Sequence, residues 1–342
     1  MTEVIDLRSD TVTRPGPAMR RAMAEAEVGD DVLDGDPTTR RLEQRTAELL
    51  GMDDALFFPS GTQANQTGIA LVTEHGTELL VEADAHLVHY ELAGVAALAG
   101  VQVRTIATPD GKLSGDLVRQ ALRHPSPHVP RVTAVAIENT HNAAGGRVLP
   151  LEAMAAIVAE ARSAGLAVHL DGARLWNAAV ALEVLPARLV RGATTVMVSF
   201  SKGLGCPVGS CLVFDARLRA RAWEVRKRLG GGMRQSGVLA AAGLYALEHH
   251  LPRLEEDHAH ARDFAQRVQR CPAVSVEMPE TNIVMIDLVN DGDTADMVIP
   301  RLAAAGLRLE RFGARRLRAV THLDVGPSHV ARAADIVQSV LQ

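Results

Sequence analysis

The sequence predicts an α/β fold: a large domain with a mostly parallel mixed sheet flanked by helices, then a smaller C-terminal α+β domain. Three observations predict it. Short apolar and β-branched runs alternate with helical stretches through the first two-thirds of the chain, which is the pattern of successive βαβ units. Pro252 follows a long helical stretch and marks a boundary. The 342 residues are 47% hydrophobic and 23% charged, enough apolar material for a large core and two domains.

The elements follow in order. Glu78–Glu82 reads as a strand and residues 90–98 as a helix. The apolar run 92–103 carries Gly94 and Gly100 and is too short to span a membrane, so it reads as a core helix. Val132–Glu138, rich in β-branched residues, is a strand. Leu151–Ser163 is helical and ends at Gly165, a C-terminal glycine. Residues 166–170 and 194–200 are strands, and a helix runs through 240–249. The large domain is then 1–251, with an N-terminal segment 1–15, and the small one 252–342. In the latter, 253–269, 297–305 and 328–341 read as helices, and 282–288 and 317–321 as strands.

Composition excludes several functions. Net charge is −5, and no basic stripe with interleaved aromatics offers a nucleic-acid surface. The three cysteines, Cys206, Cys211 and Cys271, show no metal-ligand spacing, so no metal is expected and a reducing cytoplasm is. The first ten residues carry no basic and apolar leader. No membrane partner is expected.

The chain has three lysines. Lys112 lies in a turn and Lys227 on a charged helix face; only Lys202 follows a buried strand, at a glycine-rich turn. An amine desolvated there suits Schiff-base chemistry. Asp171 ends the strand that lies 31 positions earlier, about one βαβ unit of roughly 30 residues. Both can therefore reach the crevice at the C-terminal ends of neighbouring strands. On its own Asp171 also fits a helix cap. Paired with Lys202, it answers pyridoxal phosphate: the carboxylate keeps a pyridine protonated and the amine condenses with its aldehyde. In Pro59-Ser-Gly-Thr62, Ser60 can cap a helix whose first amides, Gly61 and Thr62, would face a phosphate. His86 follows a strand and can stack on a ring.

These residues resemble the low-specificity L-threonine aldolases, pyridoxal-phosphate enzymes of the aspartate-aminotransferase-like fold (fold type I). The resemblance covers nearly the whole chain. It begins at Asp6-Leu-Arg-Ser-Asp-Thr-Val-Thr-Arg-Pro15 and Val28-Gly-Asp-Asp-Val32. It continues through Asp36-Pro-Thr38, Pro59-Ser-Gly-Thr62, Glu82-Ala-Asp-Ala-His86 and Ile137-Glu-Asn-Thr-His-Asn142. It ends with His169-Leu-Asp-Gly-Ala-Arg174, Ser201-Lys-Gly-Leu204, Leu229-Gly-Gly-Gly-Met-Arg-Gln235 and Val320-Thr-His322. The resemblance implies Lys202 as the Schiff-base lysine, Asp171 as partner of the pyridinium nitrogen, and His86 as the stacking ring. It implies Gly61 and Thr62 at the phosphate and Arg174 near the cofactor. Arg234 would reach the phosphate of a neighbouring subunit, in a homotetramer with shared sites. Ser9, Arg174 and Arg318 would clamp the substrate carboxylate, a task that suits the planar guanidinium fork.

The activity so implied is reversible cleavage of L-threonine, L-allo-threonine and other L-β-hydroxy-α-amino acids to glycine and an aldehyde, a lyase step in threonine breakdown and glycine formation. Two histidines are candidates for the base at the β-hydroxyl: His86, directly or through water, and His128, in Ser126-Pro-His128-Val-Pro130. Gly205-Cys206 and Leu33-Asp34 depart from the family pattern. β-Elimination or racemisation at the same cofactor is the alternative enzymatic reading. A binding protein that kept the fold is the non-enzymatic one. A dinucleotide dehydrogenase lacks its glycine loop here.

Overall fold

A computed structural model describes residues 4–124 and 126–341. A seven-stranded sheet forms its centre: β1 (Asp54–Phe58), β2 (Glu78–Glu82), β3 (Gln102–Ile106), β4 (Val132–Glu138), β5 (Ala167–Gly172), β6 (Thr195–Ser199) and β7 (Ser210–Phe214). The spatial order is β1-β7-β6-β5-β4-β2-β3. Every neighbouring pair is parallel except those made by β7, which runs against β1 and β6. Strands such as β2, β6 and β7 are buried along their whole length. That explains why they read as continuous apolar runs rather than alternating ones. The helices Pro37–Leu50, Gly61–Val72 and Leu151–Ser163 are among those that cover the sheet, and Gly237–His249 packs on the first of them. Phe57, Phe200, Trp176 and Leu170 sit in the large core between these layers.

A second core gathers around Phe264, Leu302, Leu307 and Val330. It lies between an antiparallel sheet and the helices Leu254–Val268 and Pro327–Leu341. Ile5 and Leu7, expected with the first unit, belong to this second core. Residues Ile5 and Asp6 pair in parallel with Leu307 and Arg308, and Val320 N–H donates to Leu7 O. The N-terminal segment thus straps the second unit and delivers residues 8–13 to the sheet edge.

One expected helix is not formed. Across 92–103 the only helix is the short turn Val95–Ala99, strand β3 begins at Gln102, and Leu92 is 95% exposed. Leu92 and Ala93 take left-handed φ angles of 51° and 56°, and Gly100 ends the turn at 64°. The cause lies just upstream. The Glu91 carboxylate is drawn into the interior by Asn65, Gln66 and His86, and the chain must reverse directly after it.

Candidate active site

Parallel strands all point their C-terminal ends to one edge, the usual ligand crevice of an open α/β sheet. Here β2 leads to His86, β4 ends at Glu138, β5 carries Asp171 and β6 leads to Lys202. Glu138 and Asp171 are direct register partners.

Lys202 is half-buried, and its carbonyl accepts a 3.3 Å bond from Thr13 Oγ1. Burial and the charge of Arg174 push its amine below the usual lysine range, against the opposing pull of Asp10, Asp171 and Glu138. A lowered amine pKa is what a nucleophilic lysine needs.

Asp171 is 1% exposed and remains within the strand, so it caps no helix. Its Oδ1 accepts from Ala173 N at 3.1 Å and its Oδ2 from Asn65 Nδ2 at 2.8 Å. Asn65 Oδ1 in turn faces His169 Nε2 at 3.1 Å, and His169 Nδ1 meets Thr195 Oγ1 at 2.9 Å. Burial drives His169 down to about 4, so it is neutral near pH 7. A chain of neutral polar groups therefore fixes the Asp171 carboxylate.

His86 donates its backbone N–H to Glu138 Oε2 at 2.7 Å. Its ring stacks on Tyr90, with centroids 5.3 Å apart, and its Nδ1 meets Glu91 Oε1 at 2.9 Å. Burial alone would lower the imidazole pKa. The Glu91 bond and the Asp171 charge outweigh it and leave the pKa raised.

At the opposite wall two guanidinium groups converge. Arg174 grips Asp10 side-on, Nε to Oδ2 and Nη2 to Oδ1, both 2.8 Å. Its Nη1 and that of Arg318 both donate to Asn142 Oδ1, at 3.1 and 2.9 Å. Arg318 Nη2 reaches Arg8 O at 3.2 Å, and the group lies 5.1 Å from the Phe312 ring centre. Its Nε is buried with no partner. Burial would raise the Asp10 pKa, but the charge and bonds of Arg174, with help from Lys202 and Asn282, hold it far below the usual carboxylate range. Asp10 therefore stays ionised and occupies one side of Arg174. What remains for a carboxylate is the second N–H of Arg174 Nη1 and, on Arg318, the unpartnered Nε and the second N–H of each Nη. Ser9 lies one residue before Asp10, its Oγ accepting from Thr11 N at 3.2 Å.

Ser60 caps the helix Gly61–Val72, its Oγ accepting from Gln63 N at 3.2 Å. The amides of Gly61 and Thr62 open this helix and have no intrahelical acceptor. Beside them, Ser210 Oγ is buried without a partner. It lies 3.5 Å from where a Cβ on Gly61 would sit.

Two expected site residues are not brought to this cluster within one chain. His128 is exposed, in the turn that precedes β4. The first six residues of that strand lie between it and Glu138, about 20 Å at strand rise. Arg234 is exposed and its guanidinium pairs with Asp30 at 3.0 Å. Three functional candidates went unread in the sequence: Asn65, Glu91 and Asn142. The only signal for Glu91 was a lone carboxylate between Tyr90 and an apolar run.

Among the described residues, one cluster of His, Asp and Glu has metal-like reach: His86, Glu91 and Asp171. Asn65 Nδ2 donates to both carboxylates, which puts an N–H donor where a cation would need oxygen. Pyridoxal phosphate fits the donor set better. The site offers an amine of lowered pKa, a fixed carboxylate, a flat imidazole and free helix amides beside an unpartnered hydroxyl. Asp171 would meet the ring nitrogen, Lys202 the aldehyde, and Gly61, Thr62 and Ser210 the phosphate.

A sequence profile of the family described as beta-eliminating lyase matches residues 6–291. The chain is 41% identical over 334 residues to low-specificity L-threonine aldolase 1 of Arabidopsis thaliana, covering 95% of this chain and 93% of that protein. It is 40% identical over 332 residues to the low specificity L-threonine aldolase of Escherichia coli (strain K12), covering 97% of each. Among solved structures, the threonine aldolase of Leishmania major shares the fold, with a TM-score of 0.84 at 20% identity over 99% of this chain and 100% of that one.

Proposed function

The chain belongs to the beta-eliminating lyases, among the low-specificity L-threonine aldolases, and from that premise we propose that it cleaves L-threonine, L-allo-threonine and related L-β-hydroxy-α-amino acids to glycine and an aldehyde, reversibly and with pyridoxal phosphate. The observation that carries this reading is the convergence of the Lys202 amine, the buried Asp171 carboxylate and two guanidinium groups at one sheet edge. Bound there, the cofactor supplies the electron sink for the bond broken at Cα.

The protein's own residues supply the rest. Arg318, with Nη1 of Arg174, holds the substrate carboxylate, and Ser9 adds a hydroxyl at the same wall. Fixing that group chooses which bond at Cα stands ready to break. The His86 Nε2 lone pair accepts the β-hydroxyl proton. An imidazole suits that transfer because its ordinary pKa lies near neutral pH; here the Glu91 bond and the Asp171 charge raise it. Asp171, locked by Asn65, would hold the cofactor at its ring nitrogen and keep that nitrogen protonated.

The reading extends to assembly and setting. We place the chain in the cytoplasm as a homotetramer, where it supplies glycine and breaks down threonine. Arg234 and His128, both exposed in one chain, would serve a neighbouring copy's site. Sedimentation showing a monomer under assay conditions would contradict the shared-site part.

Incubation with L-threonine tests the reaction. Glycine and acetaldehyde in equal amounts are expected. Ammonia and 2-oxobutyrate instead would assign β-elimination, and neither pair of products would reject both.

A further inference from the structure

Glu91 has no place in the roles above, yet its carboxylate is fully buried. All its bonds go to the site. Oε1 meets His86 Nδ1 at 2.9 Å and accepts from Asn65 Nδ2 at 2.8 Å, while Oε2 accepts from Gln66 Nε2 at 2.6 Å. The same Asn65 amide donates to Asp171 Oδ2 at 2.8 Å. Among the described residues no arginine or lysine pairs with Glu91, whose one ion-pair contact is His86. Burying a carboxylate without a cation is costly, and the chain turns through left-handed φ angles at Leu92 and Ala93 directly after it.

We propose that Glu91 is a positioning residue: it holds the His86 ring with Nδ1–H turned inward and, through Asn65, joins that ring to Asp171 in one hydrogen-bonded strip. The inference rests on the reading of His86 as the base. An ionised carboxylate can only accept, so Nδ1 carries the proton and Nε2 keeps its lone pair. Nε2 makes no hydrogen bond among the described residues, so it is the atom available to the substrate. The ring is also faced by Asp171 from β5, by Lys202 from beyond β6 and by the Tyr90 ring, and Glu138 of β4 holds its backbone N–H. None of these hydrogen-bonds an imidazole nitrogen; among the described residues only Glu91 does. Base and ring-nitrogen partner are thus set by one shared amide, so their protonation states are coupled.

Glu91→Gln tests this and can be accommodated. Gln66 Oε1 is buried without a partner, so its carboxamide can turn to accept from the new amide. In the cofactor-free protein, NMR titration of the His86 ring should show its pKa falling in the variant, because burial and the Asp171 charge remain while the raising contribution of the Glu91 carboxylate is lost. In the holoenzyme, kcat for threonine cleavage should fall ~10- to 100-fold, a part of what general-base catalysis contributes. KM and cofactor affinity should change little, and the acidic limb of the pH–rate profile should move to lower pH. An unmoved His86 titration with an unmoved pH profile would overturn the proposal. So would a loss of kcat that merely tracks lost cofactor. Should Glu91→Gln not fold, Asn65→Ser cuts the strip at its middle. It should alter the pH dependence of the visible cofactor band with cofactor still bound; an unchanged band and kcat would overturn the strip. If the wild type yields no glycine from threonine, the functional reading fails, and the His86 titration still decides whether Glu91 sets the imidazole.

Discussion

At the scale of single residues the site is governed by which partners are already taken. Arg174 is committed to Asp10 through two 2.8 Å bonds, whereas Arg318 keeps a buried, unpartnered Nε. Arg318→Lys should therefore act on substrate binding. Losing the planar fork removes about 1.5–3 kcal/mol of charged hydrogen bonding, roughly a 10- to 100-fold rise in KM for threonine with cofactor affinity unchanged. Steady-state kinetics beside a cofactor titration check it. His86→Asn should lower kcat by roughly 10²–10⁴. The base works only when deprotonated, and its pKa is raised. The wild-type rate should therefore climb with pH through a midpoint above the ordinary histidine value, and that limb should vanish in His86→Asn. Residue identities such as Lys202 and Asp171 were legible in the sequence because each sits alone at the end of an apolar strand. Glu91, Asn65 and Asn142 were not. Their work depends on hydrogen bonds between elements distant in sequence, and nothing in local pattern marks a buried acceptor.

At the scale of elements, the helix Gly61–Val72 and the turn at 91–94 do the placing. Ser60→Ala removes the cap and should cost about 1 kcal/mol of stability. It should also weaken cofactor binding, because the amides of Gly61 and Thr62 lose their fixed direction. Thermal melts with and without cofactor separate the two effects. Gly94 packs so closely that a Cβ there would lie 2.8 Å from the Gln66 carboxamide carbon. Gly94→Ala should displace Gln66 and loosen Glu91, with kcat falling more than stability. Strands and helices with clear periodicity were read from the sequence within a few residues, as at β4 and Leu151–Ser163. The false helix over 92–103 shows where that reading fails. Apolar content suggested burial, but a buried carboxylate outside the run dictated the turn. Strands β3 and β7 went unread; β3 carries charged and polar residues on the sheet edge, and β7 directly follows the glycine-rich turn of residues 203–209.

At the scale of the whole molecule, two cores are bridged by the strap of residues 5–7 and by contacts across the site. Asp10, just beyond the strap, is held by Arg174 of the first unit and Asn282 of the second. Arg318 of the second unit shares Asn142 with Arg174. The carboxylate clamp is therefore built from both units, and its geometry depends on their relative placement. Cofactor binding to the folded state alone should stabilise the protein by mass action, about 2.7 kcal/mol at a hundredfold excess over Kd. A melting temperature unmoved by saturating pyridoxal phosphate would argue against a site formed only on folding. The most direct test of the central claim is borohydride reduction of the purified holoenzyme followed by peptide mass mapping. The reduced cofactor should be found on Lys202, with the visible absorbance band lost on reduction. Cofactor fixed to Lys112 or Lys227 instead, or no covalent cofactor at all, would contradict it.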